Sequence, residues 1–74
     1  MQKELEDIVA LKSNELIWIG YSKEEQAIYV KEAPNVIRVF EEKSREVFDQ
    51  FKNSKQQDYF YFHVLRRQQH KIIV

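Results

Sequence analysis

The sequence predicts an α+β fold with an antiparallel sheet of four to five strands, a helix after the third strand and a short N-terminal helix. Short runs of β-branched and aromatic residues recur along the chain, as is typical of strands. The connections between the first three runs are too short for the crossovers of a parallel sheet. The apolar spacing then changes to the helical period before a fourth run begins.

The first segment, residues 2–12, has the pattern of a short amphipathic helix. Leu5, Ile8, Val9 and Lys12 form one stripe at helical spacing, and acidic residues lie elsewhere on the predicted helix. Ser13-Asn14 ends this pattern. We therefore expect an N-terminal helix within residues 1–12 and one α+β domain over residues 13–74.

Three strands are expected next, at residues 16–19, 27–31 and 36–40. Gly20 and Pro34 are the only residues of their kinds, and both stand between apolar runs, as expected of residues that interrupt strands. Gly20 should end the first strand or form a bulge in it, and Pro34 should lie in a turn. The strands should therefore form an antiparallel meander.

A helix over residues 44–53 follows, with Ser44 as its N-cap. Its apolar face consists of Val47, Phe48 and Phe51. Residues 59–65 (Tyr-Phe-Tyr-Phe-His-Val-Leu) give the strongest strand signal in the chain. Residues 70–74 are expected to form a final edge strand.

Alternation along these strands predicts two sheet faces. One face is aliphatic and packs against the helix; it would hold Ile17, Ile19, Ile28, Val30, Ile37, Val39, Phe60, Phe62 and Val64. The other face is aromatic and partly cationic; it would hold Trp18, Tyr29, Arg38, Phe40, Tyr61 and His63.

Composition narrows the classes of function. The absence of cysteine among the 74 residues excludes disulfides, thiolate metal sites and a cysteine nucleophile, and it favours a cytoplasmic protein. No apolar run approaches the ~20 residues of a membrane helix, and the acidic N-terminus does not resemble a signal peptide. The formal net charge is zero, with acids in excess over residues 1–37 and basic residues in excess over residues 38–74. This balance does not favour non-specific nucleic-acid binding.

Catalytic and metal motifs are not evident in the sequence. It has no Gly-rich phosphate loop, no paired-histidine helix motif and no nucleophile elbow. His63 and His70 lie seven residues apart without the four ligands that structural zinc requires. We therefore expect no enzymatic activity, no metal and no cofactor.

The chain from residue 13 to about residue 72 resembles the KTSC family, named for a small domain at the C-terminus of some lysyl-tRNA synthetases and also found as free-standing bacterial proteins. The residues that carry the resemblance occur in the order of the family's motifs. They are Ser13, Ile19-Gly20-Tyr21, the strands Ala27–Lys31 and Val36–Phe40, Val47-Phe48 with Phe51, Ser54-Lys55, Tyr59-Phe60 and Leu65-Arg66.

The sequence departs from the family pattern at several points. The family's Tyr-x-Tyr element is Arg38-Val39-Phe40, the proline that often precedes the helix is missing, and Gln56 replaces the loop glycine in a loop about two residues longer. The resemblance implies a small sheet-plus-helix domain for which nucleic-acid binding is the usual suggestion.

The aromatic and basic residues form the candidate binding face. Exposed aromatic rings and arginines are enriched both in protein interfaces and in single-stranded RNA binders. The same side chains would also serve as a second small core under the N-terminal helix. The candidate residues are Trp18, Tyr29, Arg38, Tyr61, His63, Arg66 and Arg67.

The first functional expectation is a non-catalytic protein-interaction module. It would be a small regulator or a phage-type inhibitor of a larger complex, with a protein partner or a second copy of itself. An RNA or tRNA accessory binder is the alternative, and a small-nucleotide binder is the third.

Overall fold

The computed structural model describes Leu5 and residues 7–73, which adopt the expected α+β architecture. Five strands form one antiparallel sheet in sequence order, and the helical segments lie between the fourth and fifth strands. The strands are β1 (Asp7–Ala10), β2 (Leu16–Ser22), β3 (Ala27–Glu32), β4 (Val36–Phe40) and β5 (Lys71–Ile72). The helical segments are α1 (Arg45–Lys52), α2 (Gln57–Phe60) and a π-helical turn (Tyr61–Leu65).

The central part of the prediction is confirmed. β3, β4 and α1 occur where their sequence patterns placed them, and β2 begins at the expected residue. β2 is longer than expected, because it continues through Gly20 and pairs with β3 as far as Ser22. Ser44 is the N-cap of α1, and its hydroxyl accepts a hydrogen bond from the Val47 backbone N–H at 3.4 Å. The strand expected over residues 70–74 is present as the two-residue strand β5, which pairs with β4 at the edge of the sheet.

The predicted N-terminal helix is wrong for the residues that the structure describes. Residues 7–10 form the edge strand β1, whose side chains alternate between half-buried and exposed. An isolated helix this short is marginal, whereas pairing with β2 satisfies the backbone groups of β1. Because β1 precedes the three predicted strands, the helices follow the fourth strand rather than the third. Residues 2–4 and 6 of the predicted helix lie outside the described residues.

The predicted strand at residues 59–65 is also wrong, because this segment is helical. The edge of β4 where it would pair is occupied by β5. Helical coiling buries Tyr61 and Leu65, four residues apart, whereas a strand would have placed Phe60, Phe62 and Val64 on the core face. Strand propensity depends on context, and burial of these two side chains prevails.

The core lies between the helices and one face of the sheet, termed the first face. The sheet contributes large apolar side chains at alternating positions, and the helices contribute four more. The Phe51 ring stacks on Phe60 and Tyr61, with centroids 5.5 and 5.9 Å apart. The buried members of this core are Leu16, Ile19, Tyr21, Ile28, Val30, Phe40, Phe48, Phe51, Tyr61 and Leu65.

The opposite side of the sheet is termed the second face, and its membership differs from the prediction. Phe40 and Arg38 pair with Ile28 and Val30 and therefore lie on the first face. Val39 and Ile37 lie on the second face, and Ile17 is exposed at an irregularity in the pairing of β2 with β3. The second face consists of Ile8, Ala10, Trp18, Gly20, Ser22, Ala27, Tyr29, Lys31, Ile37, Val39, Lys71 and Ile73.

Candidate functional site

The structure distributes the seven predicted site residues over three places. Trp18 and Tyr29 lie on the second face. Arg38 and Tyr61 lie in or beside the core between the sheet and the helices. The remaining three, His63, Arg66 and Arg67, lie on or just after the π-helical turn. Because residues 59–65 are helical and β4 has the opposite alternation, the single aromatic and basic face that the sequence predicted does not form.

Glu32, at the end of β3, is the centre of the buried polar group on the first face. Glu32 is only 9% exposed. The Arg38 Nε–H donates to Glu32 Oε2 at 2.9 Å, and the Tyr61 hydroxyl donates to the same oxygen. The Arg66 Nε atom lies 3.5 Å from it. The carboxylate therefore ties the helical segment to two strands of the sheet.

Burial raises the pKa of the Tyr61 phenol well above its ordinary value, and the hydrogen bond to the Glu32 carboxylate raises it further. The positive charges of Arg38 and Arg66 oppose this shift. The phenol therefore acts as a neutral hydrogen-bond donor and not as an acid or a nucleophile near neutral pH.

His70 extends this group toward β5. One Arg38 guanidinium nitrogen, NH1, lies 2.9 Å from His70 Nε2, and His70 Nδ1 lies 2.9 Å from the Gln68 carbonyl oxygen. Arginine only donates hydrogen bonds, and a carbonyl only accepts them. This arrangement therefore assigns the imidazole as the neutral tautomer with its proton on Nδ1. The imidazole thus connects β4 with the turn before β5.

The outer surface of α2 and the π-helical turn carries exposed aromatic and cationic side chains. Tyr59 is 60% exposed and stacks on the His63 ring with centroids 4.3 Å apart. The Arg66 guanidinium lies 5.7 Å from the centroid of the Phe62 ring. We term this surface the aromatic–arginine patch; its residues are Tyr59, Phe62, His63, Val64, Arg66 and Arg67.

The backbone beneath this patch is anchored on its inner side. Tyr61 and Leu65 of the same turn are fully buried, and the Tyr61 hydroxyl is bonded to Glu32. The Arg66 backbone N–H donates to the Tyr61 carbonyl at 2.7 Å, a five-residue spacing that defines a π-helical turn. The patch side chains therefore project from a fixed segment.

Sequence reasoning missed Tyr59, Phe62 and Glu32. Tyr59 and His63, like Phe62 and Arg66, are four residues apart, so a helical interpretation of residues 59–65 would have paired them. Glu32 is the last residue of β3, two positions before Pro34, and the sequence gives no signal for its burial.

An open groove of about 480 Å³ lies at the end of the sheet where β2 and β4 end and β3 and β5 begin. Acidic, basic and amide side chains from three connecting segments line it, including Glu25, Glu42 and Lys43. Over Leu5 and residues 7–73, no three His, Asp or Glu side chains are arranged to hold a metal ion.

Comparison with protein-family models and with curated proteins gives no indication of function. No helix within the described part of the chain has the length and apolar character to cross a membrane. The chain matches no protein-family model and no curated protein.

Proposed function

We propose that this protein is a non-catalytic protein-interaction module that binds an acidic segment of a partner protein at the aromatic–arginine patch. The observation that carries the proposal is the exposed Tyr59–His63 stack beside the Phe62–Arg66 pair. Tyrosine and arginine, together with tryptophan, are enriched among the interface residues that dominate binding energy.

The charge of the patch indicates the chemistry of the partner. Arg66 and Arg67 are exposed and permanently positive, and the Glu32 carboxylate, 3.5 Å from Arg66 Nε, balances part of this charge. The nearest acidic residue in sequence, Asp58, accepts a hydrogen bond from the Ser13 hydroxyl at 2.8 Å. Carboxylates of a partner would form charge-assisted hydrogen bonds with the guanidinium groups. An acidic segment is therefore the complementary ligand.

The apolar members of the patch favour protein over nucleic acid. Val64 is exposed, and Phe62 is half-buried beneath Arg66. A protein partner would cover these side chains with apolar side chains of its own, whereas nucleic acid offers mainly phosphate and base surfaces. The anchored turn also limits the entropy that is lost on binding.

Selection from a random peptide library displayed on phage tests this proposal. We expect peptides enriched in Asp and Glu to bind the wild-type protein and to lose about tenfold or more in affinity for Arg67→Glu. Lys23→Glu makes the same change of charge in the exposed turn between β2 and β3. Its affinity for these peptides should stay within about twofold of the wild-type affinity. Peptides without acidic enrichment, or equal loss in both variants, would contradict the proposal.

Single-stranded RNA binding at the same patch is the second candidate. The exposed Tyr59 ring favours it, because base stacking on aromatic rings tolerates any sequence, and the KTSC resemblance points to nucleic acid. A short oligouridine should then bind with an affinity that falls steeply as salt rises. Retention of oligouridine binding by Arg67→Glu would remove this candidate.

A further inference from the structure

The two arginines of the aromatic–arginine patch are neighbours in sequence, but only one of them is held in position. The Arg66 Nε atom lies 3.5 Å from Glu32 Oε2, and the guanidinium group lies 5.7 Å from the centroid of the Phe62 ring. The Arg67 side chain makes no ion pair, hydrogen bond or ring contact with any residue that the structure describes. The two side chains therefore differ in how much rotational freedom each would lose on binding a partner.

We propose that Arg66 is the specificity-determining residue of the patch, that it binds one carboxylate of the partner end-on through its two terminal nitrogens, and that Glu32 positions it. This inference rests on the proposed function and deepens it, because it names the chemical group that is recognised and the side chain that recognises it. Arg67 contributes positive charge without a fixed geometry.

The guanidinium group of Arg66 has one part directed to the protein and one part left for a ligand. Its Nε atom is the one nearest the buried Glu32 carboxylate. Over Leu5 and residues 7–73, no acceptor lies within hydrogen-bond distance of its two terminal nitrogens. A planar guanidinium binds a carboxylate through two parallel N–H···O bonds. The terminal nitrogens provide the two donors for such a pair.

Glu32 can position Arg66 because the carboxylate is itself fixed. It accepts hydrogen bonds from the Arg38 Nε–H, at 2.9 Å, and from the buried Tyr61 hydroxyl. At the other end of the side chain, the Arg66 backbone N–H donates to the Tyr61 carbonyl at 2.7 Å. Arg66 is thus anchored at its backbone and near its guanidinium group, and a side chain ordered in advance loses less entropy on binding.

Charge and positioning predict opposite effects of Glu32→Gln. If charge alone mattered, removing an anion beside the patch would strengthen the binding of an acidic segment. If Glu32 positions Arg66, the same change replaces a charge-assisted contact with a weaker neutral one. Binding should then weaken even though the patch becomes more positive. The sign of the change in affinity therefore separates the two explanations.

Isothermal titration calorimetry with a short polyglutamate peptide measures the change in affinity, and circular dichroism checks that each variant is folded. We expect Glu32→Gln to bind about threefold or more weakly than the wild type. Arg66→Lys and Arg67→Lys make the same substitution at neighbouring positions and keep the charge. Arg66→Lys should lose about fivefold or more affinity relative to Arg67→Lys, because lysine lacks the planar pair of donors.

Side-chain NMR of the wild type without peptide tests the positioning by itself. We expect the Arg66 Nε–H to exchange with water about tenfold or more slowly than the Arg67 Nε–H. Equal exchange rates, tighter binding by Glu32→Gln, or equal losses in the two lysine variants would overturn this inference. Absence of polyglutamate binding by the wild type, together with a slowly exchanging Arg66 Nε–H, would instead overturn the proposed function and the recognition of a carboxylate.

Discussion

Replacing Tyr61 with Phe tests the buried group around Glu32. The substitution removes one hydroxyl from a side chain that is fully buried and leaves the aromatic packing on Phe51 and Phe40 in place. We expect the fold to persist with a lower free energy of unfolding, because the hydrogen bond from the phenol to the carboxylate is lost.

The magnitude follows from the partners of the Glu32 carboxylate. A hydrogen bond to a charged group contributes about 1.5–3 kcal/mol. The carboxylate of the variant keeps the Arg38 Nε–H at 2.9 Å, so it is not left without a donor. We therefore expect a loss of about 2 kcal/mol, which lowers the melting temperature of a domain of this size by about 8–16 °C.

Urea unfolding followed by circular dichroism measures this loss, with Tyr59→Phe as the control. Tyr59 is exposed, and its change should stay within about 0.5 kcal/mol. A double-mutant cycle with Glu32→Gln should give a coupling energy of about 1 kcal/mol or more. If the free energy of unfolding of Tyr61→Phe stays within about 0.5 kcal/mol of the wild-type value, the hydrogen bond to Glu32 does not stabilise the fold as argued.

Three further predictions concern alkaline pH, a glycine and a helix cap. Burial, and then the hydrogen bond to Glu32, raise the pKa of Tyr61. The contribution of Tyr61 to the free energy of unfolding is therefore present below about pH 10 and is lost at higher pH, where the phenol of the unfolded chain ionises. Between about pH 9 and pH 12, the stability of Tyr61→Phe should fall less than that of the wild type. A Cβ on Gly20 would lie 2.7 Å from Cδ1 at the end of the Leu5 side chain. Because a side-chain end can move aside, Gly20→Ala should shift the melting temperature by less than about 4 °C. A larger loss would show that Leu5 is held in place. Ser44→Ala removes the cap of α1 and should cost about 1 kcal/mol in urea unfolding; no loss would show that the 3.4 Å bond is not stabilising.

Local signals predicted the centre of this fold correctly. The cap residue Ser44 and the helical spacing of Phe48 and Phe51 located α1. The apolar runs at residues 16–19, 27–31 and 36–40 located three strands, although β2 continues through Gly20. These elements obey their own residue patterns, and their tertiary contacts agree with them.

The two ends of the chain could not be predicted in the same way. The stripe of Leu5, Ile8 and Val9 fits a helix, but pairing with β2 decides its structure. Residues 59–65 fit a strand, but they are helical and bury Tyr61 and Leu65 in the core. Both outcomes depend on contacts between residues distant in sequence, which single-sequence periodicity does not record.

The binding role of the candidate residues stays a prediction, but their positions can be compared with the expected face. His63, Arg66 and Arg67 are exposed and lie on or just after the π-helical turn rather than on a strand. Arg38 was expected on an open face and instead forms an ion pair with Glu32 on the first face. That error arose because alternation fixes which residues share a strand face and not which face meets the core.

The irregularity of β2 at Ile17 implies that this strand can lose one residue without a change of fold. Leu16 pairs with Glu32, and Trp18 with Lys31, so Ile17 has no partner of its own on β3. Removing Ile17 from the chain would leave a regular strand in which Leu16 and Ile19 still face the core and Trp18 still faces away. The hydrogen bond from the Leu11 N–H to the Ile17 carbonyl would be lost at the edge of the sheet. Related chains one residue shorter here would share this fold, and an alignment of them should place its gap at this position.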